Sequence, residues 1–190
     1  MSLRILGGEL KGRTIKTPKS DTTRPTTSFL RKSIFDSCQF FVKKACIVDL
    51  FAGSGALGLE ALSRGADYAY FIDIYPLPIR TLKQNILKLD LKDKSNIIQG
   101  NAFSLLSSIT KPVDILFLDP PYTIGLEGYM KLLTIILENS FIFNDDAHIY
   151  LETPALFAHT IKMNLPDFFS LQKEKKSSST ILFHLKKNNL

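Results

Sequence analysis

Residues 46–58 read Cys46-Ile47-Val48-Asp49-Leu50-Phe51-Ala52-Gly53-Ser54-Gly55-Ala56-Leu57-Gly58. A short apolar run passes into a glycine-rich loop, and a helical pattern follows from about Ala56 to Arg64. Gly53, Gly55 and Gly58 have the GxGxxG spacing that lets backbone approach a ligand at the carboxyl end of a first parallel strand. Asp73 stands 20 residues after Gly53, at the end of the next apolar run, where a carboxylate can accept hydrogen bonds from ribose hydroxyls. Outward from this unit the rhythm repeats. Strands are expected at 68–73, 96–99, 113–118 and 147–151, with helices at 78–89, 102–109 and 127–139. Such alternation gives βαβ units and a parallel sheet. Strands at 168–172 and 181–185, joined by a polar turn over 173–179, predict an antiparallel hairpin at one sheet edge. Before Cys46, two short strands (4–6 and 13–16) and a helix over 26–43 are expected. The fold class is α/β, a Rossmann-like, mostly parallel sheet with a C-terminal antiparallel hairpin.

Two cofactor classes share this layout, NAD(P) and S-adenosylmethionine. Asp49 helps to separate them. An acid inside a parallel strand is costly unless it is paired. An anionic pyrophosphate has no use for it, whereas the ammonium and sulfonium of S-adenosylmethionine do. The run Asp49–Gly55 resembles the cofactor loop of class I methyltransferases, and the terminal hairpin resembles that fold rather than a dehydrogenase.

The strand at 113–118 runs into Asp119-Pro120-Pro121-Tyr122. Two prolines stiffen the backbone and remove two N–H donors, leaving the carbonyls of Asp119 and Pro120 as acceptors. An exocyclic base amine is a poor nucleophile because its lone pair is delocalised into the ring. Acceptors aimed at its hydrogens favour pyramidalisation and spread the developing positive charge. The face of Tyr122 holds the base in line with the methyl group. Asp119, Pro120 and Tyr122 are therefore the expected catalytic set, with no metal required. The motif is common to methylation of adenine N6, cytosine N4 and guanine N2, so it specifies an atom type and not a base.

The formal net charge is +6 over 190 residues, and its distribution is uneven. Residues 1–44 hold ten Lys/Arg against three acids, whereas residues 45–190 are nearly balanced. A basic extension (1–44) ahead of a cofactor-binding domain (45–190) suggests a polyanionic partner. Arg4, Lys11, Arg13, Arg24 and Arg31 are the expected RNA contacts, with Arg31 on the exposed side of its helix. The run Lys175-Lys176-Ser177-Ser178-Ser179 reads as a solvated turn. Hydrophobic residues make up 45% of the chain, enough for a sizeable core. No apolar run approaches the roughly 20 residues of a membrane span, and no signal-peptide pattern opens the sequence. Two cysteines, Cys38 and Cys46, and three scattered histidines argue against a disulfide scaffold or a zinc site. A cytoplasmic monomer is expected.

Taken in order, Arg4-Ile5-Leu6-Gly7-Gly8, Lys11-Gly12-Arg13, Thr23-Arg24-Pro25-Thr26-Thr27, Arg31–Asp36, Asp49–Gly58, Glu60–Ala66 and Asp119–Tyr122 closely resemble the RsmD family of bacterial 16S ribosomal RNA guanine-N2 methyltransferases. The resemblance spans essentially the whole chain. It implies S-adenosylmethionine as donor, S-adenosylhomocysteine as product, and 16S rRNA within the small subunit or its assembly intermediate as substrate. It also implies a cofactor site of Asp49, Phe51, Gly53, Gly55, Asp73, Ile74, Asn101, Ala102 and Asp119. Two positions depart from the family pattern. Asp73 replaces the more usual Glu, with Tyr75 where a second acid is common, and Asn101 replaces an Asp. Three other readings remain at this stage: a DNA or other RNA amino-methyltransferase, a non-catalytic RNA-binding module, and a nicotinamide-dependent oxidoreductase.

Overall fold

The structure, a computed structural model, describes residues 2–18 and 28–188. Its centre is a seven-stranded sheet. The strands are β3 (Cys46–Asp49), β4 (Tyr68–Asp73), β5 (Ser95–Gln99), β6 (Val113–Leu118), β7 (Phe143–Pro154), β8 (Phe169–Ser177) and β9 (Thr180–Lys187). They lie in the order β5-β4-β3-β6-β7-β9-β8, with β3 to β7 parallel and the last two antiparallel. A separate antiparallel pair, β1 (Ser2–Arg4) with β2 (Thr14–Lys16), precedes the sheet.

Strand alternation sends side chains to two faces. Val48, Leu50, Tyr70, Leu116 and Ile149 pack on the side of α4 (Ala102–Leu105), α5 (Gly125–Glu138) and α6 (Ala155–Met163). Ile47, Ala69, Phe71, Phe117 and Tyr150 pack on the other side. That side carries α1 (Ser28–Cys38), α2 (Ala56–Ser63), α3 (Pro76–Leu89) and the β1–β2 pair, whose Ile5 and Ile15 are fully buried. The central strands β3, β4 and β6 are covered on two faces, which explains their near-continuous apolar character. Along β7 and β9, Phe41 stacks on His148 and Tyr150 on His184, and the two histidine rings meet at a tilt, near the C-terminal end of α1. Tyr150 also shares a 3.0 Å hydrogen bond with Ser37 of that helix.

The basic hairpin is docked by polar contacts as well as by its two isoleucines. Glu60, fully buried in α2, accepts the backbone N–H of Leu6 at 2.7 Å and the Nε–H of Arg64 at 2.8 Å. Ser63 donates to the Gly7 carbonyl and accepts from Leu10, and Asn85 of α3 bonds both backbone groups of Lys16.

Several boundaries differ from those read in the sequence. The turn expected over 173–179 is mostly strand: β8 runs to Ser177, and the reversal occurs at Ser178-Ser179. As an edge strand, β8 has one side in water, where lysines are favoured and strand pairing is not obvious from polarity. The α6 helix was not expected; only Ala158 and Ile161 of it are buried, too weak a periodic signal. The α1 helix ends at Cys38 rather than near 43; the chain runs through turns to a left-handed Lys44 (φ 65°) before β3. Arg31 is not exposed. It is buried, and its guanidinium donates to the Arg4 carbonyl at 3.1 Å. Its helix is sandwiched between hairpin and sheet, and burial depresses its pKa, with Glu60 opposing that shift.

Removing Glu60 leaves the Leu6 N–H without its acceptor, Arg64 without its ion-pair partner and the buried Arg31 without the nearby carboxylate that offsets its charge. Glu60→Ala should cost about 3–5 kcal/mol of unfolding free energy, the scale for breaking a buried ion pair. Glu60→Gln should cost less, since it keeps one acceptor. Urea melts at constant m-value measure both; a midpoint unchanged in Glu60→Ala would mean that Glu60 does not help to hold the hairpin, leaving Ile5, Ile15, Ser63 and Asn85 to do so.

Candidate functional site

The order of strands around β3 creates a switch point. From β3 the chain moves outward to β4 and β5, then returns to β6 on the other side. Open α/β sheets bind ligands in the crevice that such a reversal leaves at the carboxyl ends. Four carboxylates stand along that edge: Asp49 ending β3, Asp73 ending β4, Asp119 just beyond β6, and Glu152 near the end of β7.

Asp49 is buried, and its Oδ2 accepts the N–H of Gly58 at 3.0 Å. Gly58 is the third residue of α2, whose own cap, Gly55, offers no side-chain acceptor. The carboxylate thus caps the helix from the neighbouring strand and meets the positive end of its dipole. A Cβ on Gly58 would collide with the Phe71 ring, so glycine is needed where α2 presses on β4. Gly53 (φ 53°) and Gly55 (φ 80°) take the left-handed conformations that shape the loop between. Asp73 Oδ2 accepts the N–H of Gly53 at 2.8 Å, while Oδ1 accepts that of Tyr75 at 2.9 Å. The second βα turn is thereby fastened to the glycine loop. Ile74 is half exposed beside it.

Burial pushes the pKa of Asp49 up to about 7, against the Gly58 hydrogen bond and with added repulsion from Asp119 and Asp73. Burial also raises Asp73. A cationic ligand relieves this repulsion. The ammonium and sulfonium of S-adenosylmethionine therefore fit the donor set, and the Asp73 oxygens keep lone pairs for hydroxyls. Among the described residues, no group of three or more His, Cys, Asp or Glu is placed to hold a metal ion.

Asp119-Pro120-Pro121 leads from β6 into a single turn at Tyr122–Ile124. The Tyr122 hydroxyl donates to Glu152 Oε1 at 2.9 Å, which fixes the ring beside the neighbouring strand. Glu152 is nine-tenths buried. Behind them lies the buried Tyr129 hydroxyl, whose pKa is raised by burial and by Asp119, Tyr122 and Glu152. Sequence reasoning missed Glu152. Its signal was a lone acid closing the apolar run Ile149-Tyr150-Leu151, the same pattern that marked Asp49.

Phe51 is half-buried in the glycine loop. Asn101, just past β5, uses its Oδ1 to cap α4 through the Phe103 N–H at 3.0 Å, and Ala102 is buried behind it. Of the expected RNA contacts, Arg4, Lys11 and Arg13 are exposed on the hairpin. Arg13 donates to the Lys88 carbonyl near the C-terminal end of α3. That places it about 18 Å along the helix axis from the edge bearing Asp73. Arg24 lies outside the described residues, and Arg31 is buried.

A family model described as Conserved hypothetical protein 95 matches residues 3–186. Ribosomal RNA small subunit methyltransferase D of Escherichia coli K12 is 35% identical over 173 residues, covering 91% of this chain and 84% of the relative. The protein of that name from Buchnera aphidicola of Acyrthosiphon pisum is 36% identical, covering 78% and 76%. The solved structure of Escherichia coli yhhF superposes with a TM-score of 0.86 at 30% identity over 99% of each chain. SMU.776, solved in complex with SAH, shares the fold at 14% identity and a TM-score of 0.73, over 92% of this chain and 54% of that one. With a glycine loop, an Asp-Pro-Pro-Tyr edge and relatives aligned along most of its length, the chain belongs to the Conserved hypothetical protein 95 family, the RsmD family of ribosomal RNA small subunit methyltransferase D.

Proposed function

We propose that the protein transfers a methyl group from S-adenosylmethionine to the N2 amine of a guanine in 16S rRNA of the small ribosomal subunit. The relatives' names support rRNA methylation. The choice of guanine rests on one observation: two carboxylates, Asp119 and Glu152, stand at the ends of adjacent strands with Tyr122 tied to one of them. Guanine presents N1–H and N2–H₂ on its Watson–Crick edge, three donors that suit acceptors. Adenine at N1 and cytosine at N3 present lone pairs, which face carboxylates unfavourably.

The cofactor, when bound, supplies an electrophilic methyl on sulfonium sulfur. The chain's residues do the rest. Asp49 and the glycine loop hold the cationic end, and Asp73 takes the ribose. Tyr122, braced by Glu152, gives a flat face for a base extruded from its helix. Asp119 and the Pro120 carbonyl accept from the amine as its nitrogen becomes tetrahedral and gains positive charge. One N–H proton then leaves to water, so no group with a pKa near neutrality is needed. The exposed residues Arg4, Lys11 and Arg13 add phosphate contacts that position without reading sequence.

Labelled cofactor incubated with small subunits carrying unmodified rRNA tests this reading. Digestion to nucleosides should yield N2-methylguanosine; N6-methyladenosine or N4-methylcytidine would overturn the choice of base. Asp119→Ala should lower single-turnover rates about 10²–10³-fold, the scale for one preorganised electrostatic group. Glu152→Gln keeps a carbonyl for Tyr122 but turns an N–H₂ towards the base. It should cost about 10- to 100-fold in kcat/KM, as for a hydrogen bond to a charged group, with cofactor affinity unchanged.

Asp49 generates a pH prediction. Its pKa in the folded chain, about 7, lies above its unfolded value. The native state therefore holds a proton that the unfolded state lacks, and stability falls as pH rises towards 7. A cation needs the ionised form, so cofactor affinity should fall up to tenfold per pH unit below about 7. Asp49→Asn should flatten that dependence and weaken binding at pH 8, while raising the melting temperature there. Calorimetry and thermal melts across pH 6–8 check both signs; a wild-type affinity independent of pH would remove Asp49 from the cofactor's charge recognition.

A further inference from the structure

The register of the last three strands brings one basic surface close to the target site. Glu152 of β7 pairs with Leu182 of β9, and Leu182 pairs with Lys175 of β8. These three residues lie on one rung, so their side chains leave the same face of the sheet. Two strand spacings separate the backbones of Glu152 and Lys175, about 10 Å. A bulge between Leu171 and Lys173 sets the phase of the strand beyond it. Lys173 stands opposite His184 and Lys175 opposite Leu182, both on the face that carries α1. Glu174 points to the other face and pairs with Lys162 of α6.

On the α1 face, Lys175 Nζ sits 4.7 Å from the ring centroid of Phe29, which is half exposed in the first turn of α1. Lys32, one turn further on, is exposed. The β8–β9 reversal reaches the same edge, since Thr180 pairs with Pro154, two residues past Glu152. At the opposite end of the hairpin, Lys186 and Lys187 are neutralised by Asp146 and Asp145. Among the described residues, Lys32, Lys173, Lys175 and Lys176 make no ion pair.

From this we infer that Lys173, Lys175 and Lys32, with Phe29 orienting Lys175, form a second RNA-contacting surface that grips the sugar-phosphate strand next to the target base. It rests on the rRNA reading above and extends it to the C-terminal hairpin. The N-terminal hairpin holds Arg13 far from the reacting edge, whereas this strip lies about two strands from Tyr122's partner. Unpaired cations beside a site for an extruded base match the phosphates that must flank it.

Lys173→Gln/Lys175→Gln removes two charges at near-constant side-chain length. A control pair, Lys92→Gln/Lys94→Gln, removes two from exposed positions beyond the other sheet edge, next to β5. Binding to small subunits assembled from unmodified 16S rRNA is measured from low to moderate salt, with methyl transfer by the wild type measured on the same particles. The hairpin variant should lose about 1.4–1.8 from the slope of log K against log salt, and the control should keep the wild-type slope. Phe29→Ala should weaken binding and add little to Lys175→Gln, because both remove one oriented charge. Unchanged cofactor affinity and melting confirm that the variants are folded. Equal slopes for hairpin variant and wild type, while the wild type methylates the particles, would overturn this surface and leave the activity standing. A wild type that neither binds nor methylates the particles would overturn the rRNA reading itself.

Discussion

A carboxylate sealed from water, Asp49, accepts the N–H of Gly58, and the ligand edge of the sheet depends on that contact. It joins the end of a central strand to the first turn of the next helix. Everything between, the loop from Leu50 to Leu57, must close over a fixed span. Gly58 lets α2 sit against Phe71 of β4, and the Gly53 N–H reaches across to Asp73. Two strand ends and one helix start are thus held in register by backbone N–H groups pointing at acids. The helix gains a cap that its own cap residue does not provide.

The same arrangement is costly. Asp49, Asp73, Asp119 and Glu152 crowd one edge, and burial drives the first of them towards neutrality near pH 7. Sites arranged for binding commonly carry such a stability cost. Compensation lies in the double-sided core and in the buried Glu60, which fastens the hairpin to α2. Acids gathered at the crevice and bases distributed around it divide the surface by sign. A cationic ligand is favoured inside and a polyanion outside.

The parallel core from β3 to β6 was legible because its strands are short, largely apolar and followed by a helical period. Asp49, the three glycines and Asp73 were legible because acids and glycines at fixed offsets have few structural uses in such a strand–loop–helix unit. Glu152 was not, since nothing in a linear sequence says that β7 lies beside β6 with its end level with Tyr122. Arg31 misled for a related reason. Helical periodicity put it opposite the apolar stripe, but a hairpin 27 residues earlier covers that side. Lys173–Lys176 looked like a turn because an edge strand has only one partner and shows polarity on its open side. Register across strands, not local pattern, separates these cases.

The insertion of β9 between β7 and β8 has a consequence for how the molecule comes into being. The sheet is not completed in the order of synthesis. β8 leaves the ribosome before β9 but pairs with no other strand of the sheet, and β7 keeps an open hydrogen-bonding edge until residues 180–187 arrive to fill the gap. Five parallel strands and both layers of helices can assemble during elongation, yet β9, an interior strand, is delivered only after the edge strand β8. Such an edge is a template for wrong partners while it stays open. The edge of β7 beside Tyr122 and Glu152 therefore stays open until residues 180–187 have been made, although every acid of the crevice has already been synthesised.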